Sequence, residues 1–383
     1  MKISIRSLAS LSALGDEQDA SRFYSDPQSR LTLRESGGQR WWAGAIPEPL
    51  KEQLRASLES YGRLDDTVLY ALWVSRKALQ AARWAPDMRI GVNLGSSRGA
   101  TGLWESHHGE LLRSGSVNSH ASPSTTLGNI ASWVAHDLGT LGPAISHSIT
   151  CSTALHALLN GCAWIRSGMA DGFLVGGAEA PLTDFTFKQM AALKIYSQEA
   201  APYPCRALDP RKESNTMVLG EGAGVVALEG GAHEDALAVI AGVGYATEPL
   251  THAVSLSADA GCLQRSMTMA LGETMPSDVD AIVLHAPGTR LGDRAELRAV
   301  EQVFRGAMPA LTSNKWKIGH TLGASGLLSL ELALYMLERQ EIPALPYLGQ
   351  EAESRPIRRV MVNAVGFGGN AVSVLLERPG EGH

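Results

Sequence analysis

GPAISHSITCSTALHALLNGCAWIRSGMADGFLVGGAEA, residues 142–180, is the stretch on which the fold turns. It reads as a strand (Ala144 to Ile149), a cysteine at a turn, a helix that is apolar or small on nearly every side, and a second strand (Gly172 to Val175) ending in glycines. A helix with no wide polar face has to be buried. Cys151 therefore falls where a buried strand hands over to a buried helix. Free N–H groups and the helix dipole favour an anion there, so a lowered thiol pKa and a usable nucleophile are expected. The same N–H groups can receive an oxyanion. A cysteine in an apolar run is more commonly an inert buried thiol, so the stretch needs partners elsewhere before it carries chemistry.

Upstream, the chain begins with a strand, followed by a polar segment from Asp16 to Arg40 that reads as a surface excursion. Residues Asp65 to Ala85 carry apolar positions at helical spacing, with Asp65 or Asp66 as cap, and a strand follows from Arg89 to Val92. The loop NLGSSRGATGLWESHHGELL (93–112) lacks the lysine of GxxxxGK[ST] and does not match GxGxxG, so it reads as a tight turn into a helix, not a phosphate cradle. SPSTT (122–126) caps a further helix. Downstream, Thr183 to Leu208 reads as irregular, and GEGAG (220–224) leads into an apolar strand, Val225 to Leu228. Its glycines suggest close approach of backbones.

GGAHED (230–235) is the most linker-like point, and beyond it the rhythm starts again. Strands at 236–243 and 281–284 alternate with helices at 261–271 and 294–304, a glycine loop precedes a long helix at 324–337, and a strand, glycine turn and strand close the chain. The expected organisation is two similar α/β halves, 1–230 with the cysteine and 231–383 with two histidines, a duplicated architecture without letter-by-letter repetition.

Composition narrows the function classes. A net charge of -6 and a pI near 6.0 argue against nucleic-acid binding. No apolar run is long enough to span a bilayer, and MKISIRSLASLSALGDE shows no cleavage pattern, so a first strand is the better reading than a signal peptide. Cys151, Cys162, Cys205 and Cys262 form no CxxC pair and no disulfide framework, which fits a reducing compartment and a cytoplasmic protein. Cys162, three helical turns after Cys151, reads as core.

Three stretches of the second half place polar groups at strand ends and glycine turns. VLHAPGTRLGDRAE puts His285 directly after an apolar strand; SNKWKIGHTLGASG puts Lys315 five residues before His320; VGFGGN puts Phe367 between glycines. Singly, such residues are usually structural. Together, two histidines after strand or loop ends and a cysteine at a helix start make a site at one edge of the sheets.

From the first strand to the GFGG turn, the chain resembles the β-ketoacyl-acyl carrier protein synthases, condensing enzymes of the thiolase fold. SITCSTALH is similar to the family's nucleophile motif, HAPGTRLGDRAE to its first histidine motif, and SNKWKIGHTLGASG to its lysine and second histidine motif; GEGAG and GFGGN match its other glycine signatures. The resemblance implies a layered αβαβα fold of two halves and a decarboxylative condensation extending an acyl chain by two carbons. Cys151 would accept the acyl chain, while His285 and His320 would promote decarboxylation of a malonyl thioester and stabilise the enolate. The N–H groups of Cys151 and Phe367 would form the oxyanion hole, and Phe367 would gate acyl entry. Lys315 and Asp293 would hold histidine geometry and charge, with Thr289 facing the phosphopantetheine arm and Asp293 and Gly368 also placed along the substrate. No metal or separate cofactor is implied, since substrates travel on the phosphopantetheine of acyl carrier protein.

The chain departs from the family at Ser329, where a glutamate is common, with Glu331 pointing elsewhere on the helix. It departs also at Pro287 in place of a threonine and at Val365 in place of phenylalanine. Expected partners are acyl carrier protein and a second subunit, either a copy of this chain or a chain-length-factor-like protein. The alternatives are the ketosynthase subunit of a type II polyketide system, such as one making polyenes, and, from another class, a non-catalytic scaffold. A biosynthetic thiolase fits less well, because GFGG stands where such enzymes carry a second catalytic cysteine.

Overall fold

The computed structural model describes residues 1–127, 129–249 and 256–380. Its core elements in the first half are β1 (Ile3–Ser12), α1 (Asp66–Ala82), β2 (Ile90–Gly95), α2 (Asn129–Leu138), β3 (Ala144–Ile145), α3 (Thr153–Arg166), β4 (Gly172–Glu179) and β5 (Gly222–Gly230). Those of the second half are β6 (Ala238–Ala246), α4 (Gly261–Leu271), β7 (Ala281–Val283), α5 (Arg290–Val303), β8 (Ala310–Thr312), α6 (Ser325–Arg339), β9 (Arg359–Gly366) and β10 (Asn370–Glu377). The strands join in the order β3-β2-β4-β5-β1-β6-β10-β9-β7-β8.

Each half therefore has the same order outward from the centre, and the same sense: antiparallel for the inner pairs, parallel for the outer ones. The seam is the antiparallel pairing of β1 with β6, Ile3 opposite Ile240 and Ile5 opposite Ala238. Duplication, expected from rhythm alone, is a property of the topology.

The layers follow from which helices can face water. α3 and α6 are buried over most of their length and pack on each other and on strands from both halves, forming the middle layer. α1 and α2 cover the outer face of the first half; α4 and α5 cover that of the second. Asp65 caps α1 by accepting the Thr67 N–H at 2.9 Å.

Several expectations are refined or corrected. The polar segment 16–40 lies at the surface as expected, with only Ala20, Tyr24 and Leu31 buried, yet it is regularly folded: Asp16 caps a helix, Glu17–Tyr24, whose buried Tyr24 hydroxyl donates to Glu331 at 2.8 Å, and a hairpin follows (Thr32–Ser36 with Gln39–Gly44). Its anchor lies 307 positions away, so local pattern does not reveal it. The segment after Thr183 contains a helix, Asp184–Ala192, capped by Thr183 and burying Phe187 and Met190. The strand expected at 144–149 ends at Ile145, because Ser146 leaves the ladder and accepts the Ala131 N–H at 2.9 Å. GEGAG lies largely within a strand, and its expected close approach is present: a β-carbon on Gly224 would stand 2.9 Å from that of Leu327 in the middle layer.

Gly366, at the end of β9, makes the tightest approach that matters for the site. A β-carbon there would overlap the Thr150 hydroxyl and lie 3.2 Å from the Cys151 nitrogen. Gly366→Ala is expected to cost about 1–3 kcal/mol of unfolding free energy by overpacking, measured by urea denaturation. Gly109→Ala, on the helix Thr101–Ser114 and facing only the flexible Arg113 side chain, is expected to be neutral or stabilising by up to about 1 kcal/mol.

Candidate active site

The site starts at the turn between β3 and α3. Thr150 sits at φ 47°, a left-handed conformation that is strained for a β-branched residue. Two hydroxyls that follow it hold it: Thr153 Oγ1 accepts the Ile149 N–H at 2.9 Å and donates to Thr150 O at 2.6 Å, and Ser152 Oγ donates to Ile149 O at 3.0 Å. Cys151 is thereby fixed one residue ahead of the helix cap, 6% exposed, within an apolar cluster that includes Leu182, Phe187, Met190 and Leu322.

In the second half, the place between β8 and α6 is the topological equivalent of the one between β3 and α3, and it holds His320. The two chemistry-bearing residues thus occupy matching positions in the duplicated halves. His320 N–H donates to Val218 O at 2.6 Å, pinning the loop to the first half. His285 follows β7, and its ring meets that of His320 edge to face, centroids 5.1 Å apart at 85°.

Burial governs the protonation of all three groups. It drives His285 well below the ordinary imidazole range, with the charges of His320 and Lys315 adding to it. It lowers His320 to about 3, again with help from Lys315. Both rings are neutral at pH 7. The lowered thiol pKa expected for Cys151 is corrected: burial first, then the Glu179 carboxylate, push it up to about 12, and Lys315 pulls in the opposite direction. A helix end does not outweigh complete desolvation. The thiol therefore rests protonated at pH 7.

Phe367 lies across the turn from Cys151. The Thr150 hydroxyl donates to its carbonyl at 3.4 Å, and Gly368 at φ 90° and Gly369 at φ 69° reverse the chain behind it. The ring is 39% exposed, at the mouth and not in the core.

Residues 10–236 match the β-ketoacyl synthase N-terminal domain and residues 237–348 its C-terminal domain. The chain belongs to the β-ketoacyl synthase family. It is 30% identical over 355 residues to the chloroplastic 3-oxoacyl-[acyl-carrier-protein] synthase I of Hordeum vulgare, a match covering 85% of this chain and 75% of that one. It is 29% identical over 318 residues to 3-oxoacyl-[acyl-carrier-protein] synthase 2 of Vibrio cholerae, covering 76% of each. Among solved structures, the ishigamide ketosynthase/chain length factor superposes with a TM-score of 0.86 over 99% of both chains at 20% identity, a likeness of fold. Its thiolase-type architecture is that of the layered fold described above.

Within this family frame the remaining residues can be placed. Lys315 is 1% exposed, and its Nζ donates to Asn314 Oδ1 at 3.0 Å and Ser329 Oγ at 2.9 Å. Thr289 is the cap residue of α5, half-buried, with no capping hydrogen bond from its side chain. Gly368 is exposed beside Phe367. The place along the substrate expected of Asp293 is corrected, because it is 2% exposed and fully committed. It accepts from Lys212 Nζ at 2.6 Å, Leu208 N–H at 2.9 Å and Gly288 N–H at 3.1 Å, which makes it the fastener of the turn after His285. Glu331 points away from the site, as the sequence suggests, and accepts from Ser10 and Tyr24.

Two carboxylates escaped the sequence reading. Glu296 accepts the N–H groups of His285 (2.9 Å) and Ala286 (2.8 Å) and so sets the histidine backbone. Its signal is an acidic residue three positions after Asp293, on the same inner face of α5. Glu179, fully buried at the end of β4, accepts the N–H groups of Ser97 and of Gly323 (3.1 Å) and so ties the His320 loop to the first half. Among the described residues no cluster of three or more His, Cys, Asp or Glu could hold a metal ion, and no helix is long and apolar enough to cross a membrane.

Lys315 yields a pH-dependent expectation. Burial lowers it from 10.5 to about 8, so between those values the unfolded chain keeps a proton that the folded chain has released. The charge opposes folding at pH 7 by roughly 3 kcal/mol, and the opposition fades as pH rises from about 8 to 10.5. Lys315→Met is accordingly expected to be the more stable protein at pH 7, with the gap closing through that window, measured by denaturant melts at several pH values.

Proposed function

We propose that the chain is a β-ketoacyl-acyl carrier protein synthase acting through Cys151, His285 and His320. The observation that carries the reading is a helix-start cysteine and two neutral, buried, edge-to-face imidazoles that all lie within electrostatic reach of Lys315. The Cys151 sulfur attacks an acyl thioester carried on phosphopantetheine; its proton passes through an imidazole to the departing pantetheine thiolate, leaving an acyl-cysteine. Malonyl thioester then loses CO2, and the enolate attacks the acyl carbonyl, releasing β-ketoacyl thioester and the Cys151 thiolate, which takes up a proton from solvent to restore the thiol. Neutral imidazole N–H groups stabilise the enolate oxygen without a metal, while the N–H groups of Cys151 and Phe367 receive the acyl oxyanion. Thr289 contacts the pantetheine arm, and Gly368 lets the Phe367 turn swing at the mouth.

Intact mass spectrometry with acyl- and malonyl-carrier protein tests this. An acyl adduct is expected that disappears in Cys151→Ala. His285→Ala and His320→Ala are each expected to lower decarboxylation about 10²- to 10³-fold. A folded chain that forms no adduct even with a partner subunit would leave the scaffold reading standing.

The edge strand β3 supports a paired molecule. Leu141, three residues before it, is fully exposed, and Leu112 (74%) and Trp104 (58%) are exposed on the helix Thr101–Ser114, apolar side chains that a second subunit would cover. A copy of this chain is the first candidate; a chain-length-factor subunit, within a type II polyketide system, is the second, favoured by the ketosynthase/chain length factor likeness. The double variant Leu112→Glu/Leu141→Glu is expected to elute as a monomer in light-scattering chromatography where the unaltered chain, alone or with its partner, elutes as a dimer. The free thiols fit the cytoplasm as the site of action.

A further inference from the structure

Of the four buried lysines two face a carboxylate, and a third, Lys317, is held by the backbone carbonyls of Phe23, Asp26 and Gln28. Lys212 Nζ lies 2.6 Å from Asp293, and Lys51 Nζ lies 2.5 Å from Glu221. Lys315 is as deeply buried and, among the described residues, forms no ion pair; its partners, Asn314 Oδ1 and Ser329 Oγ, are neutral. Asn314 is held in that orientation because its Nδ2 donates to Leu328 O at 2.8 Å, which turns Oδ1 toward the ammonium. Ser329, 1% exposed on α6, supplies the second acceptor. The buried carboxylates of the region are spent elsewhere: Glu296 on the amides of His285 and Ala286, Glu331 on Ser10 and Tyr24. An unneutralised buried charge is costly, and such a cost marks a functional group.

We propose that Ser329 is a positioning residue that holds the Lys315 ammonium through a neutral acceptor, so that no hydrogen-bonded carboxylate cancels the charge acting on Cys151, His285 and His320. The charge favours the thiolate at Cys151 and disfavours protonation of both imidazoles, the combination that the condensation requires. The other ionisable groups acting on Lys315 are Glu296, Cys205, Cys151 and Asp293. A carboxylate at position 329 would cancel most of that field at hydrogen-bond distance. The inference rests on reading Cys151 as the nucleophile.

The test is the rate of Cys151 alkylation by iodoacetamide across pH 6–10, followed by intact mass, in the full chain and in Ser329→Glu, Ser329→Gln, Ser329→Ala and Lys315→Met. Ser329→Glu is expected to slow alkylation at pH 8 about tenfold or more and to move the profile to higher pH, as one pKa unit is tenfold. Ser329→Gln, of the same size without the charge, should stay within about threefold of the unaltered chain, whereas Ser329→Ala, which removes one acceptor of the ammonium, should slow alkylation by less than Ser329→Glu does. Equal rates for Ser329→Glu and Ser329→Gln overturn the proposal, whether both are slow or both unchanged. Should Ser329→Glu fail to fold, Lys315→Met decides: its profile must move as Ser329→Glu was expected to, and an unmoved profile overturns the proposal. No carrier protein enters the assay, so a charge effect found alongside absent acyl transfer would sink the condensation reading while sparing this one.

Discussion

Two helices that cannot face water set the architecture. α3 and α6 have buried residues on nearly all sides, and the way to cover both is to lay a sheet on either face of the pair. Each half supplies one sheet and one such helix, and the β1–β6 seam joins them. Because the halves repeat the same order, the starts of α3 and α6 come to the same end of the molecule. That is why a cysteine and a histidine separated by 169 positions in the chain stand at matching places in the two halves. Binding at the carboxyl ends of parallel strands is the general tendency of α/β sheets, and here two sets of such ends converge.

Convergence demands close backbones. Gly366 passes against Thr150 and Cys151 with no room for a side chain, and the Gly323 amide reaches Glu179 on β4. Both contacts join the second half to the first, one beside Cys151 and the other three residues after His320. The geometry of the chemistry is thus fixed by main chain and by two committed carboxylates, Glu179 and Glu296, and the reacting side chains are left free of structural duty. The same close packing excludes water, which keeps both imidazoles neutral and holds the thiol protonated until substrate arrives.

Much of this was legible in order and spacing. The strand–cysteine–helix run, the second-half rhythm and the two histidine loops all sit where the sequence puts them, since each is announced by a local apolar pattern ending in small residues. What was not legible depends on distance. The helix Glu17–Tyr24 looks polar because its anchor, Glu331, is remote. The acidity of Cys151 was misjudged because a helix start is visible in sequence, whereas the depth of burial and the nearness of Glu179 are not. Asp293 looked like a substrate contact because it stands in a motif with Thr289, yet its partners Lys212 and Leu208 lie more than eighty positions earlier.

The duplicated frame also shows how one fold divides labour. At the start of α3 the chain places a small thiol behind a strained Thr150, in an apolar cluster suited to an acyl chain. At the equivalent start of α6 it places an imidazole, and Lys315 comes just before it on a buried turn. On the proposed function, one half would hold the acyl group and the other would handle the proton and the enolate. A single positive charge with neutral neighbours, shared between them, can favour the anion at either stage without binding it permanently. An ion pair at Lys315 would stabilise the protein and remove that bias. Asn314 and Ser329 keep the charge in place and available, so the stability forgone in burying it is the physical counterpart of the chemistry it supports.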